Sequence, residues 1–232
     1  MQEINWLSPM EAAVETETGW ENMERGAEGW TRGDICVRLS GENLAVRLAA
    51  AKTPVKTVLL RWKTRLLPGT RLFGDAWERA YGDLCWQGVR DGRAMPWYVL
   101  LKDSEGLYGI GVETQPDAFC CWYVSDDYVL LLMDVSVGEN GVRLGGREIT
   151  LARIVVRHAD ADVSAFQFAR DFAAAMCPHP VLPDHAVYGG NNWYYTYGRG
   201  SRADAVRDSR FIADMAQGLE NRPYMVLDDG WQ

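Results

Sequence analysis

Apolar and polar positions alternate through much of the first 160 residues. Leu44-Ala45-Val46-Arg47-Leu48 steps between the two with a period near two. So does 58–66, where Arg61, Lys63 and Arg65 interleave with Leu60, Trp62, Thr64 and Leu66. A strand with one buried face requires this, because successive side chains point to opposite faces of the sheet. Residues 129–137 (VLLLMDVSV) are apolar at nearly every step, which predicts a strand covered on both faces. Gly145-Gly146, between 142–144 and 148–156, predicts a tight hairpin, and Asp126-Asp127 a polar turn between strands. His158 closes a strand-like run as a structural surface residue. Short strands, frequent turns and no long helix together predict an antiparallel sandwich over residues 1–160.

The period changes after Asp160. Asp162 is placed to cap a helix whose Phe166, Ala169, Phe172, Ala173 and Met176 recur at three- and four-residue spacings. Cys177-Pro178-His179-Pro180 stops it, and Pro183 follows, so 161–185 reads as a linker helix with a stiff Pro-rich connection. Residues 186–232 form a third region. Residues 186–197 read as a strand. A helix from Ser201 to about Leu219 presents Ala205, Ile212, Met215 and Leu219, and 223–227 (PYMVL) reads as a second buried strand. That order is one β-α-β unit, the minimum for a parallel strand pair.

Charge and composition narrow the function classes. The 232 residues carry a net charge of −8, from 24 Lys and Arg against 32 Asp and Glu. An acidic balance argues against nucleic acid or an anionic membrane surface as the main partner. No apolar run approaches the roughly 20 residues of a membrane helix, and the first ten residues lack the pattern of a signal peptide. Five cysteines (Cys36, Cys85, Cys120, Cys121, Cys177) follow no disulfide or metal-knuckle spacing, which predicts reduced thiols and a cytoplasmic protein. The 10 Trp, 10 Tyr and 6 Phe fit either a β-rich core or a sugar-stacking surface, and composition does not choose.

Two segments carry candidate chemistry. Asp228 and Asp229 directly follow an apolar strand and precede Gly230 and Trp231. In parallel β/α folds, ligand-binding groups gather at the carboxyl ends of strands. Ionised carboxylates are acceptors and suit a ligand rich in hydroxyls, while an indole can cover a sugar ring's apolar face. The alternative is an ordinary Asp-Asp-Gly turn. Asn191-Asn192-Trp193-Tyr194-Tyr195-Thr196-Tyr197 would end the preceding parallel strand, so both segments would open onto one face. Its alternative is an aromatic edge of the core.

NNWYYTYG (191–198) and MVLDDGWQ (225–232), one β-α-β apart, resemble the opening of the catalytic barrel in the α-galactosidase clan of glycoside hydrolases, closest to family 36. GDAWERAYGDLCW (74–86) resembles a segment of that family's N-terminal domain. The resemblance implies a multidomain β plus α/β fold, an antiparallel β-supersandwich followed by the first β-α-β of a (β/α)8 barrel. It implies a retaining hydrolase of terminal α-galactosyl residues, acting on a small α-galactoside without metal or organic cofactor, and leaves a homo-oligomer open. Asp228 and Asp229 would hold galactose hydroxyls, Trp193 and Tyr194 would line the sugar pocket beside Trp231, and Trp77 would reach it from the N-terminal domain. The nucleophile and acid/base would lie beyond Gln232. Two strands cannot close a barrel, so the piece is expected to be inert and, unless covered, prone to aggregate.

Alternatives stand beside this. An α-galactosyl transferase of the raffinose synthase type would use the same site, and a non-catalytic carbohydrate-binding module would use the sandwich alone. Gly198-Arg199-Gly200-Ser201-Arg202-Ala203 fits G-x-G-x-x-A, the short fingerprint of a dinucleotide-binding protein. Cys177, His179, Asp184 and His185 lie close in sequence, but their spacing fits no usual zinc pattern, and no metal is expected there.

Overall fold

A computed structural model describes residues 3–41, 43–76 and 84–229. The chain divides into two compact units, Met1–Pro178 and His179–Gln232.

The first unit opens with β1 (Glu11–Thr16), β2 (Gly19–Asn22), β3 (Glu24–Arg25), β4 (Trp30–Arg32), β5 (Ile35–Ser40), β6 (Ala45–Ala50), β7 (Val55–Lys63) and β8 (Arg71–Gly74). It continues with β9 (Gln87–Gly88), β10 (Met95–Pro96), β11 (Tyr98–Lys102), β12 (Gly106–Val112), β13 (Phe119–Val124), β14 (Tyr128–Asp134) and β15 (Glu148–Asp160). They form a six-stranded sheet in the order β10-β13-β14-β7-β1-β2 and a nine-stranded sheet in the order β3-β4-β5-β6-β15-β12-β11-β8-β9. Every pairing in both is antiparallel, and one apolar core draws on both sheets, from Val14, Leu60 and Leu131 to Val37, Leu48, Leu101 and Ile110. The expected antiparallel sandwich is the architecture of this unit.

The alternation in β7 does what its period requires: Val58, Leu60 and Trp62 are buried, while Leu59 and Arg61 are only partly covered. Trp62 meets Trp6 and Trp122 with ring centroids 5.3 and 6.4 Å apart, and its indole Nε1 donates to the Trp6 carbonyl at 3.0 Å. Each such aromatic pair adds about 0.5–1.5 kcal/mol beyond area burial. Part of the aromatic surplus is therefore core.

Three local expectations are corrected in this unit. The turn at Gly145 forms, but residues 142–144 do not pair with β15: Val142 bridges to Val55, and β15 lies between β6 and β12. A non-local partner outcompetes the hairpin. Helix α1 (Ala165–Met176) has Ser164, not Asp162, at its N-cap position, and no side chain caps it there. Its inward face is Phe168 and Phe172, with Ala165, Ala169 and Met176 beside them, whereas Phe166 is 73% exposed. Thus α1 covers the sandwich at β12. Gly109 and Gly111 of β12 make room for it: a Cβ at Gly109 would lie 2.6 Å from the Phe172 ring, and one at Gly111 2.5 Å from the Met176 sulfur.

The second unit contains β16 (Gly189–Asn191), α2 (Trp193–Thr196), α3 (Arg202–Met215) and β17 (Tyr224–Val226). Strands β16 and β17 pair in parallel, with Gly190 opposite Met225 and Asn191 opposite Val226. The β-α-β order is present, but its parts differ from expectation. The first strand covers 189–191 rather than 186–197. The side chain of Asn191 accepts from the Trp193 N–H at 2.7 Å, an Asx turn that tips the aromatic run into the helical turn α2. Helix α3 ends at Met215, before a turn in which Gly218 takes φ +80°. Met215 and Leu219, expected on its buried face, are 72% and 52% exposed. Strand β17 is not buried either, with Tyr224 and Val226 near half exposure. What brings α3 and the strands together is glycine: a Cβ at Gly190 would lie 2.7 Å from Ile212 Cδ1, and one at Gly189 would strike the Tyr224 carbonyl.

Candidate functional site

At the carboxyl ends of β16 and β17 the two strands are tied by one polar bond. The Asn191 side-chain amide donates to Asp228 Oδ2 at 2.8 Å, while the Asp229 N–H donates to Asp228 Oδ1 at 2.8 Å. The Asn191 bond, then the Asp229 N–H, holds the Asp228 carboxyl below the usual carboxylate range, so it stays ionised as an acceptor.

A cleft of about 300 Å³ opens at this end of the unit. Asp228 and Asp229 line one side with Leu227; Asn192, Thr196 and Gly200 line another, and Ser201, Arg202 and Ala205 at the start of α3 complete it. Ser201 caps α3 in a reciprocal pair with Asp204: the Asp204 N–H donates to Ser201 Oγ at 3.2 Å, and the Ser201 N–H donates to Asp204 Oδ2 at 3.0 Å. The Thr196 hydroxyl donates to the Asn192 carbonyl at 2.9 Å.

Of the residues singled out from sequence, Asp228 and Asp229 line this cleft. Trp193 and Tyr194 do not. Trp193 is half-buried beside Tyr197 (centroids 6.4 Å apart), and Tyr194 is 74% exposed. The helical turn, absent from the strand expected here, rotates both away from the strand direction. Trp77 and Trp231 lie outside the described residues. Tyr195 is engaged elsewhere: its hydroxyl donates to Asp208, which raises the phenol's pKa above its ordinary value. Asn192 and Thr196 from the aromatic segment, and Ser201 and Arg202 from the glycine-rich stretch, also line the cleft, although the sequence assigned none of them to the sugar site. The doubled Asn191-Asn192 was the visible signal, since two amides at a strand end have no packing reason to be there.

The dinucleotide fingerprint needs a strand running directly into its glycines. Here α2 stands between β16 and Gly198, and Ser201 Oγ occupies the Asp204 N–H at the helix start. His185 places Nδ1 2.5 Å from Asp184 and Nε2 3.1 Å from the Tyr224 hydroxyl. Among the described residues, no group of three or more His, Cys, Asp or Glu side chains is gathered to hold a metal ion. All five cysteines are free thiols; Cys120 and Cys121 are buried, which pushes them up to about 12 and about 11. No helix among the described residues is long and apolar enough to cross a membrane. No protein-family model matches the chain, and no curated protein is significantly similar to it.

Proposed function

We propose that the second unit is the sugar-binding start of a (β/α)8 catalytic fold in a family 36-like retaining α-galactosidase. The observation that carries this is the Asn191–Asp228 bond, which fixes an ionised carboxylate at the ends of two parallel strands beside a cleft of about 300 Å³. Asp228 and Asp229 accept hydrogen bonds from hydroxyls of the terminal galactosyl group. The motifs NNWYYTYG and MVLDDGWQ, which contribute Asn192, Thr196, Leu227, Asp228 and Asp229 to the cleft, support the same family. In this reading the two aspartates bind; the nucleophile and the acid/base that retention requires stand on other strands of the fold. A raffinose synthase-like transferase, in which an acceptor sugar replaces water, would use the same binding residues. The five free thiols suit a cytoplasmic home.

The test is direct titration of the chain with galactose, followed by tryptophan fluorescence and calorimetry. Saturable binding is expected, and Asp229→Ala should weaken it by about tenfold or more, the worth of a hydrogen bond to a charged group. Equal affinity in wild type and variant would refute the assigned role of Asp229.

A further inference from the structure

Asn192 is out of place by every ordinary criterion for a buried polar residue. It is 6% exposed, in a unit whose only other buried described residue is Ala216. Its backbone carbonyl is fully used, accepting from the Tyr195 N–H, the Thr196 N–H and the Thr196 hydroxyl at 3.3, 3.1 and 2.9 Å. Its side chain makes no capping bond to α2, and its amide atoms are not sealed away from solvent. A carboxamide held in a buried residue with an amide atom still open to solvent is placed to meet a partner that enters the cleft.

The surface that Asn192 retains belongs to the cleft shared with Asp228 and Asp229. Gly200 keeps the approach clear: a Cβ there would sit 3.8 Å from Asn192 Nδ2 and 3.6 Å from Thr196 Oγ1. The chemistry is complementary as well. Ionised aspartates only accept, and a sugar hydroxyl that donates to one of them still has lone pairs in need of a donor. An amide NH2 on the same cleft is that donor.

We propose that Asn192 is a ligand-binding residue whose carboxamide takes a ring hydroxyl of the sugar held by Asp228 and Asp229. This rests on the sugar-binding reading above and adds to it a residue and a polarity, a donor at the floor opposite acceptors at the strand ends.

The experiment uses the 15N-labelled full chain and galactose. The side-chain NH2 pair of Asn192 is identified by its loss in Asn192→Asp, a near-isosteric change. Galactose is expected to shift that pair in the wild type. Asn192→Asp and Gly200→Ala should each weaken galactose binding about tenfold, one by removing the donor and the other by placing a methyl before it. A Cβ at Gly200 makes only ordinary contacts, so that variant keeps its fold. If the wild type binds galactose while the NH2 pair stays still and both variants bind normally, Asn192 has no such role and the sugar-binding reading survives. If the wild type binds no galactose, both fall together.

Discussion

The two units solve the problem of holding residues in place by opposite means. In the first, Trp62 is 1% exposed and Trp122 fully buried, and dozens of side chains share one core. In the second, Phe211 and Met215 on α3 are 64% and 72% exposed, and Ala216 is the one apolar residue buried among those described. Its geometry comes from close backbone approach at Gly189 and Gly190, from the Ser201–Asp204 cap and from the Asn191–Asp228 bond. Burial gives the sandwich stability that no single polar contact decides. In the β-α-β unit single polar contacts decide the site, so a substitution there should alter binding more than folding.

The sharpest way to break that comparison is to truncate one large side chain in each unit. Trp62→Ala should cost about 3–5 kcal/mol in urea unfolding, the usual loss for a buried aromatic. Phe211→Ala should stay within about 0.5 kcal/mol. Similar losses for the two would show that α3 is packed after all. A smaller effect tests the helix that covers the sandwich. Gly109→Ala should destabilise by about 1–3 kcal/mol, since its methyl would meet the Phe172 ring. A Phe172→Ala background should relieve that clash, and a failure to do so would mean α1 does not rest on β12.

The smallest effect concerns acid. Asp34 accepts from the Thr53 hydroxyl at 2.6 Å and the Lys52 N–H at 2.5 Å; the Thr53 bond foremost lowers its pKa to about 2. A carboxyl depressed in the folded state adds stability above its unfolded value, about 3.9, and loses it as the pH falls through the folded one. Unfolding monitored between pH 4 and pH 2 should therefore be steeper in the wild type than in Asp34→Asn. Identical slopes would show that the turn at Asp34 does not feed into the stability of the sandwich.

Much of this was readable because local periodicity maps onto local structure. The alternation through β7, the dry run of β14 and the Ser201 helix start each depend on neighbours within a few residues. The aspartate pair at the end of β17 was readable for the same reason. Other features depend on partners far away in sequence. Val142 reaches Val55 instead of β15, and α1 lies on a strand thinned by Gly109 and Gly111, some 60 residues earlier. The aromatic run after Asn191 has strand-like composition, but the Asn191 side chain captures the Trp193 N–H and turns it helical.

By itself, then, the sequence determined the antiparallel sandwich, the change to a parallel β-α-β order near the prolines, and the acids at a strand end. Those follow from side-chain period, backbone restriction and turn chemistry, all short-range. Only the tertiary structure decided that Asn192 and Gly200 face the same cleft as Asp228 and Asp229, and that Trp193 and Tyr194 turn away from it. A site is a meeting of distant segments, and a hydrogen bond such as Asn191 to Asp228, spanning 37 residues, exists only once the strands have paired.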